Sequence, residues 1–286
     1  MRTIVITGAT SGIGLETARL LARQGFRVLG IGRCQERCAQ AKASLLAENP
    51  GAGSTYFCCD LLRQREVIRV AKEITADVDR AGEGELYALI NNAGCARNWY
   101  MTTEEGYEQQ FALNYLAGFL LTQQLLPLLQ KAKGRVIMTG SKSHKGARVH
   151  WDDVMLRRGY HPLAAYKQSK LCNMLFAKGL NDRYAALGLH AYVVDPGLVN
   201  TDIGNKDTGG LTDLVWTLRK GYGVSPAVPA ETYLFLCTQE TPPQGLYYHL
   251  CREKPYSKQV TGKNADRLFA LSQRLSGVTY DQECVR

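Results

Sequence analysis

The 286-residue chain contains no run of about 18 consecutive apolar residues, so no transmembrane helix is evident. It opens on Thr3-Ile4-Val5-Ile6-Thr7, which reads as a buried strand rather than the apolar core of a leader peptide. The expectation is a soluble, cytoplasmic protein whose contact with lipid, if any, is peripheral. No Cys-x-x-Cys pair occurs among the nine cysteines, and no histidine stands at zinc spacing from Cys34, Cys38, Cys58 or Cys59. A disulfide framework and a metal site are therefore poor readings, which leaves free thiols in a reducing compartment. Linkers, repeats and low-complexity tracts are also lacking, and residues 1–286 read as one domain. Charged residues at 21% and hydrophobic ones at 45% exclude disorder. The net charge of +9 favours anionic partners, but the basic residues are scattered. They do not cluster with aromatics, so nucleic acid is not an expected partner.

What is present is an alternation of strands and helices. Strands are expected at 3–7, 27–31, 55–59, 86–90, 135–139 and 189–194. Helices are expected at 15–24, 35–48, 64–79, 104–130 (one or two) and 163–187. Gly25 stops the first helix and Asn49-Pro50-Gly51 the second. Repeated βα units of this kind predict an α/β, doubly wound Rossmann fold, its sheet mostly or wholly parallel with helices on both faces.

The loops between these elements carry the chemistry. The first strand runs into Thr7-Gly8-x-x-x-Gly12-x-Gly14 at the start of a helix. Glycines there permit positive φ and let a pyrophosphate approach the backbone at a helix N-terminus. The spacing is not G-x-G-x-x-G, and by itself the motif is equally a tight turn. At the end of the second strand, where a carboxylate would hold the 2′-OH of NAD, stand Gly32 and Arg33. A guanidinium there can grip a 2′-phosphate, so NADP(H) is the expected cofactor. Asn91-Asn92-Ala93-Gly94 follows the fourth strand and offers small residues and amide ties. Tyr166 and Lys170 share one helical face. A free phenol titrates near 10, and a neighbouring ammonium is expected to lower that value.

Taken together and in order, these segments resemble the short-chain dehydrogenase/reductase family. The match runs through Thr7-Gly8-x-x-x-Gly12-x-Gly14, Asp60, Asn91-Asn92-Ala93-Gly94, Asn114, Ser141, Tyr166-x-x-x-Lys170 and Pro196-Gly197-x-Val199-x-Thr201, covering residues 1 to about 202. The resemblance implies a catalytic set of Asn114, Ser141, Tyr166 and Lys170. Tyr166 would be the general acid/base, and Ser141 would donate a hydrogen bond to the reacting oxygen. Lys170 would lower the Tyr166 pKa and hold a ribose, and Asn114 would help hold a water beside Lys170. Gly8, Ser11, Gly12, Ile13, Gly14, Arg33, Asp60, Leu61, Asn91, Ala93, Gly94, Tyr166, Lys170, Pro196, Gly197, Val199 and Thr201 would line the cofactor. Ser143 competes with Ser141, which is preferred because Thr139-Gly140-Ser141 directly follows the fifth strand. The long stretch from Ser141 to Tyr166, with Ser169-Lys170-Leu171-x-Asn173-x-Leu175-Phe176 and Leu275-Ser276-Gly277-Val278, is similar to the branch that includes retinol dehydrogenases and WW-domain oxidoreductase.

The expected activity is hydride transfer between NADP(H) and a small, hydrophobic alcohol or carbonyl compound, with a homodimer compatible with the family. Substrate-shaping segments are expected at about 142–162 and 202–225, the latter as a lid containing the apolar Leu211–Leu218 stretch. A silent NADP(H) sensor is the alternative, disfavoured by the intact Asn114, Ser141, Tyr166 and Lys170. A sugar-nucleotide epimerase would differ in glycine spacing and carry a larger C-terminal domain. His144 and His161 rank behind Tyr166 as acid–base groups.

Overall fold

The computed structural model describes residues 1–199 and 223–278. Eight strands form one sheet in the order β3-β2-β1-β4-β5-β6-β7-β8. They are β1 (Thr3–Thr7), β2 (Arg27–Gly32), β3 (Thr55–Cys58), β4 (Ala88–Asn91), β5 (Arg135–Thr139), β6 (His190–Val194), β7 (Tyr247–His249) and β8 (Arg252–Glu253). Every pairing is parallel except β7 with β8. The order reverses beside β1, where β2 and β4 flank it, so the crevice beyond the carboxyl ends of β1 and β4 is the ligand position of an open α/β sheet.

The strands read as continuous apolar runs because both of their faces are covered. In β1, Ile4 and Ile6 point to one face and Val5 to the other. The Ile4/Ile6 face packs against α1 (Gly12–Arg23), α2 (Gln35–Glu48) through Leu45, and α7 (Ala227–Thr238). The Val5 face packs against α3 (Gln64–Arg80), α5 (Ala117–Lys131), α6 (Pro162–Tyr184) and α8 (Gly262–Ser276). Here Tyr115, Phe119, Phe176 and Phe269 form a ring cluster with centroids 5.3–6.2 Å apart.

The short α4 (Gln109–Phe111) runs through a π turn, Ala112–Leu116, into α5. The continuous helix Gln109–Lys131 is long and apolar enough to cross a membrane, but 72% of its most apolar stretch is buried within the fold. It is a core helix, apolar on most sides because protein surrounds it.

The sheet is mostly parallel, as the alternation predicts. The expected strands and helices up to β6 are present within a few residues at each end, the strand expected at 86–90 occupying 88–91. Beyond β6 the sequence reading names no regular element. The structure adds α7, the β7–β8 hairpin and α8.

Candidate active site

The turn after β1 is shaped by its glycines. Gly8 and Gly12 hold φ of +68° and +53°, and a Cβ on Gly14 would stand 2.2 Å from the Gly8 carbonyl oxygen. Ser11 caps α1 by position only, since its side chain makes no capping bond. The first N–H groups of α1 are thus left for an anion at the crevice. Thr7 and Asn92 lock this turn to the next loop. The Thr7 hydroxyl accepts from the backbone N–H of Asn92 and of Ala93, both at 2.9 Å, and the Asn92 amide donates to the Thr7 carbonyl at 3.1 Å.

A cleft of about 800 Å³ opens above these loops. Of the expected cofactor residues, Gly8, Ser11, Gly12, Ile13, Arg33, Asp60, Leu61, Ala93 and Gly94 line it. Gly14 stands behind the wall, packed against Gly8. Asn91 is turned away from the cleft, its amide donating to Thr122 Oγ1 at 3.2 Å, and Asn92 faces the cleft in its place. Pro196, Gly197 and Val199 follow β6 outside the cleft lining, with Val199 paired to Val224. Thr201 and nearly all of the expected lid at 202–225 lie outside the described residues.

At one end of the cleft stand two exposed guanidinium groups, Arg33 just after β2 and Arg37 in the first turn of α2, together with Cys34 and with Thr10 of the β1–α1 turn. Asp60 is the one carboxylate among the described lining residues. It sits at the tip of β3 and accepts from Leu62 N. A dinucleotide fits this cleft on three counts. The glycines of the turn, Gly8 and Gly12, line it without side chains, the helix N–H groups are uncapped, and cations stand at the β2 end.

The catalytic candidates gather next to Gly94. α6 starts at His161 with Pro162 in its first turn, where a missing N–H costs nothing. That start places Tyr166 and Lys170 one turn apart on the face toward β5. The Ser141 side chain stands beside the Tyr166 hydroxyl and favours its charged form, and Lys170 Nζ lies 5.5 Å from the Tyr166 ring centroid. Lys170 Nζ donates to the Thr139 carbonyl at 2.9 Å and stands 3.9 Å from where a Cβ on Gly94 would be. Asn114, presented by the π turn, accepts from Cys95 N at 2.7 Å and donates to the Cys95 carbonyl and to Ser169 Oγ, both at 3.0 Å. Insertions of this kind recur at functional positions because they re-aim a side chain.

Burial, not Lys170, dominates the phenol. It pushes Tyr166 up to about 12, partly offset by the Ser141 side chain. The expected lowering by the ammonium is therefore not what governs Tyr166, because Lys170 points at the Thr139 carbonyl and is itself buried. Burial brings Lys170 down to about 8, opposed by Cys95 and Asp195.

Ser141 Oγ accepts from Ser143 N at 3.2 Å, whereas the Ser143 hydroxyl is buried without a partner among the described residues. His144 is fully buried and kept neutral by burial. Its Nε2 accepts from Ser257 N, so Nδ1 carries the proton and donates to the Ser141 carbonyl at 2.7 Å. It buttresses Ser141. His161 is exposed at the start of α6. The 142–162 segment is anchored, with Gln168 accepting from His150 N and donating to the Val154 carbonyl.

The sequence reading assigned no site role to Thr7, Thr139 and Asp195, and of the two amides it expected to tie the loop it put Asn91, not Asn92, on the cofactor. Asn92 stands inside a recognised motif and was accessible. Asp195 is buried, with its carboxylate accepting from Tyr247 OH at 2.6 Å and from Gly197 N at 3.0 Å. No local pattern marks it, because Tyr247 lies on a distant strand.

This fold and this site define an oxidoreductase built around a nicotinamide cofactor and acting on alcohol or carbonyl compounds. The chain belongs to the short-chain dehydrogenase family, whose model, described as "short chain dehydrogenase", matches residues 2–210. It is similar to retinol dehydrogenase 12 of Mus musculus, 33% identical over 284 residues that cover 98% of this chain and 88% of that one. Retinol dehydrogenase 13 of Homo sapiens is 33% identical over 291 residues, covering 97% and 85%. Among solved structures, an uncharacterized protein from Mycobacterium paratuberculosis superposes with a TM-score of 0.75 at 28% identity, covering 98% of this chain and 95% of that one.

Proposed function

We propose that the protein transfers hydride between NADP(H) and a hydrophobic alcohol or carbonyl compound, with Tyr166 exchanging the proton of the substrate oxygen. The observation that carries this reading is the Ser141–Tyr166–Lys170 cluster beside Gly94, at the rim of a cleft shaped for a dinucleotide. The bound nicotinamide would supply or accept the hydride. Gly8, Ser11, Gly12 and Ile13 would hold the pyrophosphate at the α1 N-terminus. Arg33 would pair with a 2′-phosphate, and Asp60 and Leu61 would meet the adenine.

The chain's own chemistry follows from its protonation states. A phenol held near 12 is protonated at neutral pH, so Tyr166 is ready to donate to a carbonyl oxygen. Ser141 Oγ accepts from Ser143 N, which leaves its O–H free to donate to the substrate oxygen. Asn114 and Asn92 fix the loop after β4, and with it Gly94 and Cys95. Lys170, fixed on the Thr139 carbonyl, stands where it can meet a ribose hydroxyl.

The relatives named retinol dehydrogenase support a hydrophobic substrate, as do the exposed Leu198 and Val224 beyond β6. All eight described cysteines are free, which supports a reducing compartment such as the cytoplasm. The test is NADPH consumption by the purified protein with retinal and other apolar carbonyl compounds. Turnover with NADPH well above that with NADH is expected. Turnover only with NADH would overturn the cofactor reading, and none with either would overturn the enzymatic one.

A further inference from the structure

Four cysteines gather near the β2 end of the cofactor cleft: Cys34 at the N-cap of α2, Cys38 in its first turn, and Cys58 and Cys59 at the end of β3. They are not equivalent. Cys38 and Cys59 are buried, and burial pushes their thiols up to about 11 and about 12. They remain protonated and poorly nucleophilic. Cys34 and Cys58 are only half-buried.

Arg33 lies between these two. Cys58 Sγ donates to the Arg33 carbonyl at 3.4 Å. A carbonyl oxygen sits about 2.8 Å from the next Cα, so Cys58 Sγ is within about 6 Å of the Cys34 Cα. In register Gly32 pairs with Cys58, so Cys34 stands two residues beyond the partner of Cys58, and its Sγ donates to Glu36 Oε2 at 2.8 Å. Closing the bond would require the Cys34 thiol to leave Glu36 and the Arg33–Cys34 backbone to move toward β3.

We propose that Cys34 and Cys58 form an oxidation site that a peroxide closes as a disulfide and a dithiol reopens, and that closing it displaces Arg33 and weakens binding of the phosphorylated cofactor. The second half rests on the proposed NADP(H) cleft. Peroxide oxidises one thiol to the sulfenic acid and leaves as water. The second thiol then attacks that sulfur, forming the S–S bond and releasing a second water. Two electrons and the two thiol hydrogens thus pass to the peroxide. A dithiol reverses the step by exchange, becoming the oxidised partner. The bond replaces the Cys58–Arg33 hydrogen bond and draws the Cys34 backbone toward β3. It therefore moves the residue that carries the guanidinium.

The test treats the full chain with hydrogen peroxide, maps non-reduced tryptic peptides, and titrates NADPH and NADH before and after. Trypsin separates Cys34, in residues 34–37, from Cys38, in residues 38–42, whereas Cys58 and Cys59 share residues 43–63, so fragmentation of the linked peptide assigns the second sulfur. The expected result is a peptide linking Cys34 to Cys58, with an NADPH Kd raised about tenfold, as for loss of one charge-assisted contact, and the NADH Kd little changed. Dithiothreitol should restore the NADPH value. Cys58→Ser should keep the resting NADPH affinity and abolish both the linked peptide and the peroxide effect. Absence of the linked peptide, a link to another cysteine, or a link that leaves the NADPH Kd unchanged would overturn the proposal. Failure of the untreated protein to bind NADPH would instead overturn the cofactor reading, a result separable from the peptide map.

Discussion

In the proposed mechanism Tyr166 would carry the proton transfer, and its environment sets the sign of the pH dependence. Burial raises the phenol to about 12, so the protonated form prevails through neutral pH. Alcohol oxidation, which needs the phenolate as base, should accelerate as pH rises above neutral. Carbonyl reduction should hold steady and decline only in alkaline solution, and initial rates in both directions against pH check this. Removing the hydroxyl with Tyr166→Phe should lower kcat by about 10²- to 10⁴-fold, the usual contribution of a positioned acid/base. NADPH binding should survive that change. Arg33 is a test of selectivity at the same scale. Arg33→Ala should weaken NADPH by about tenfold, in line with the loss of a charge-assisted hydrogen bond, and NADH far less, measured by fluorescence titration. Equal losses for the two cofactors would contradict its assigned role.

The βα turns are the elements on which those residues depend. Gly14→Ala would drive a Cβ to 2.2 Å from the Gly8 carbonyl, so the turn or α1 must shift. We expect a loss of about 1–3 kcal/mol in stability, typical of overpacking, together with loss of cofactor binding, read from denaturant melts and titration. Much of this was legible in the sequence. The glycine turn, the small residues after β4 and the Tyr166/Lys170 spacing each follow from local patterns that need only a strand or helix to be recognised. Other features are tertiary. Asn91 and Asn92 are adjacent amides, and only the fold shows that Asn91 turns to Thr122 while Asn92 ties the loop to Thr7. Lys170 sits at the expected spacing, yet the β5 carbonyl of Thr139 redirects its ammonium. The three-residue β7 is too short to show period-two alternation, which is why the far edge of the sheet escaped the reading. Its Tyr247 holds Asp195 and stacks edge-on with His144 behind Ser141.

At the scale of the whole molecule, a mostly parallel sheet covered on both faces brings loops from five strands to one end, and the site is assembled there. Among the described residues, the one helix long and apolar enough to cross a membrane, Gln109–Lys131, is consumed by this packing. The 286-residue chain expressed alone should therefore remain in the supernatant after a salt wash and centrifugation. Recovery in the membrane pellet would show that another surface engages lipid. The central claim is that the Tyr166 proton and a nicotinamide hydride act together on one carbonyl group. Its most direct measurement is a single-turnover experiment with saturating NADPH and retinal, comparing the unmodified protein with Tyr166→Phe. The account predicts that the unmodified protein consumes NADPH and forms the alcohol in equal amounts, whereas the variant binds NADPH and forms the alcohol at a rate about 10²- to 10⁴-fold lower. Equal rates of alcohol formation by both proteins would contradict it.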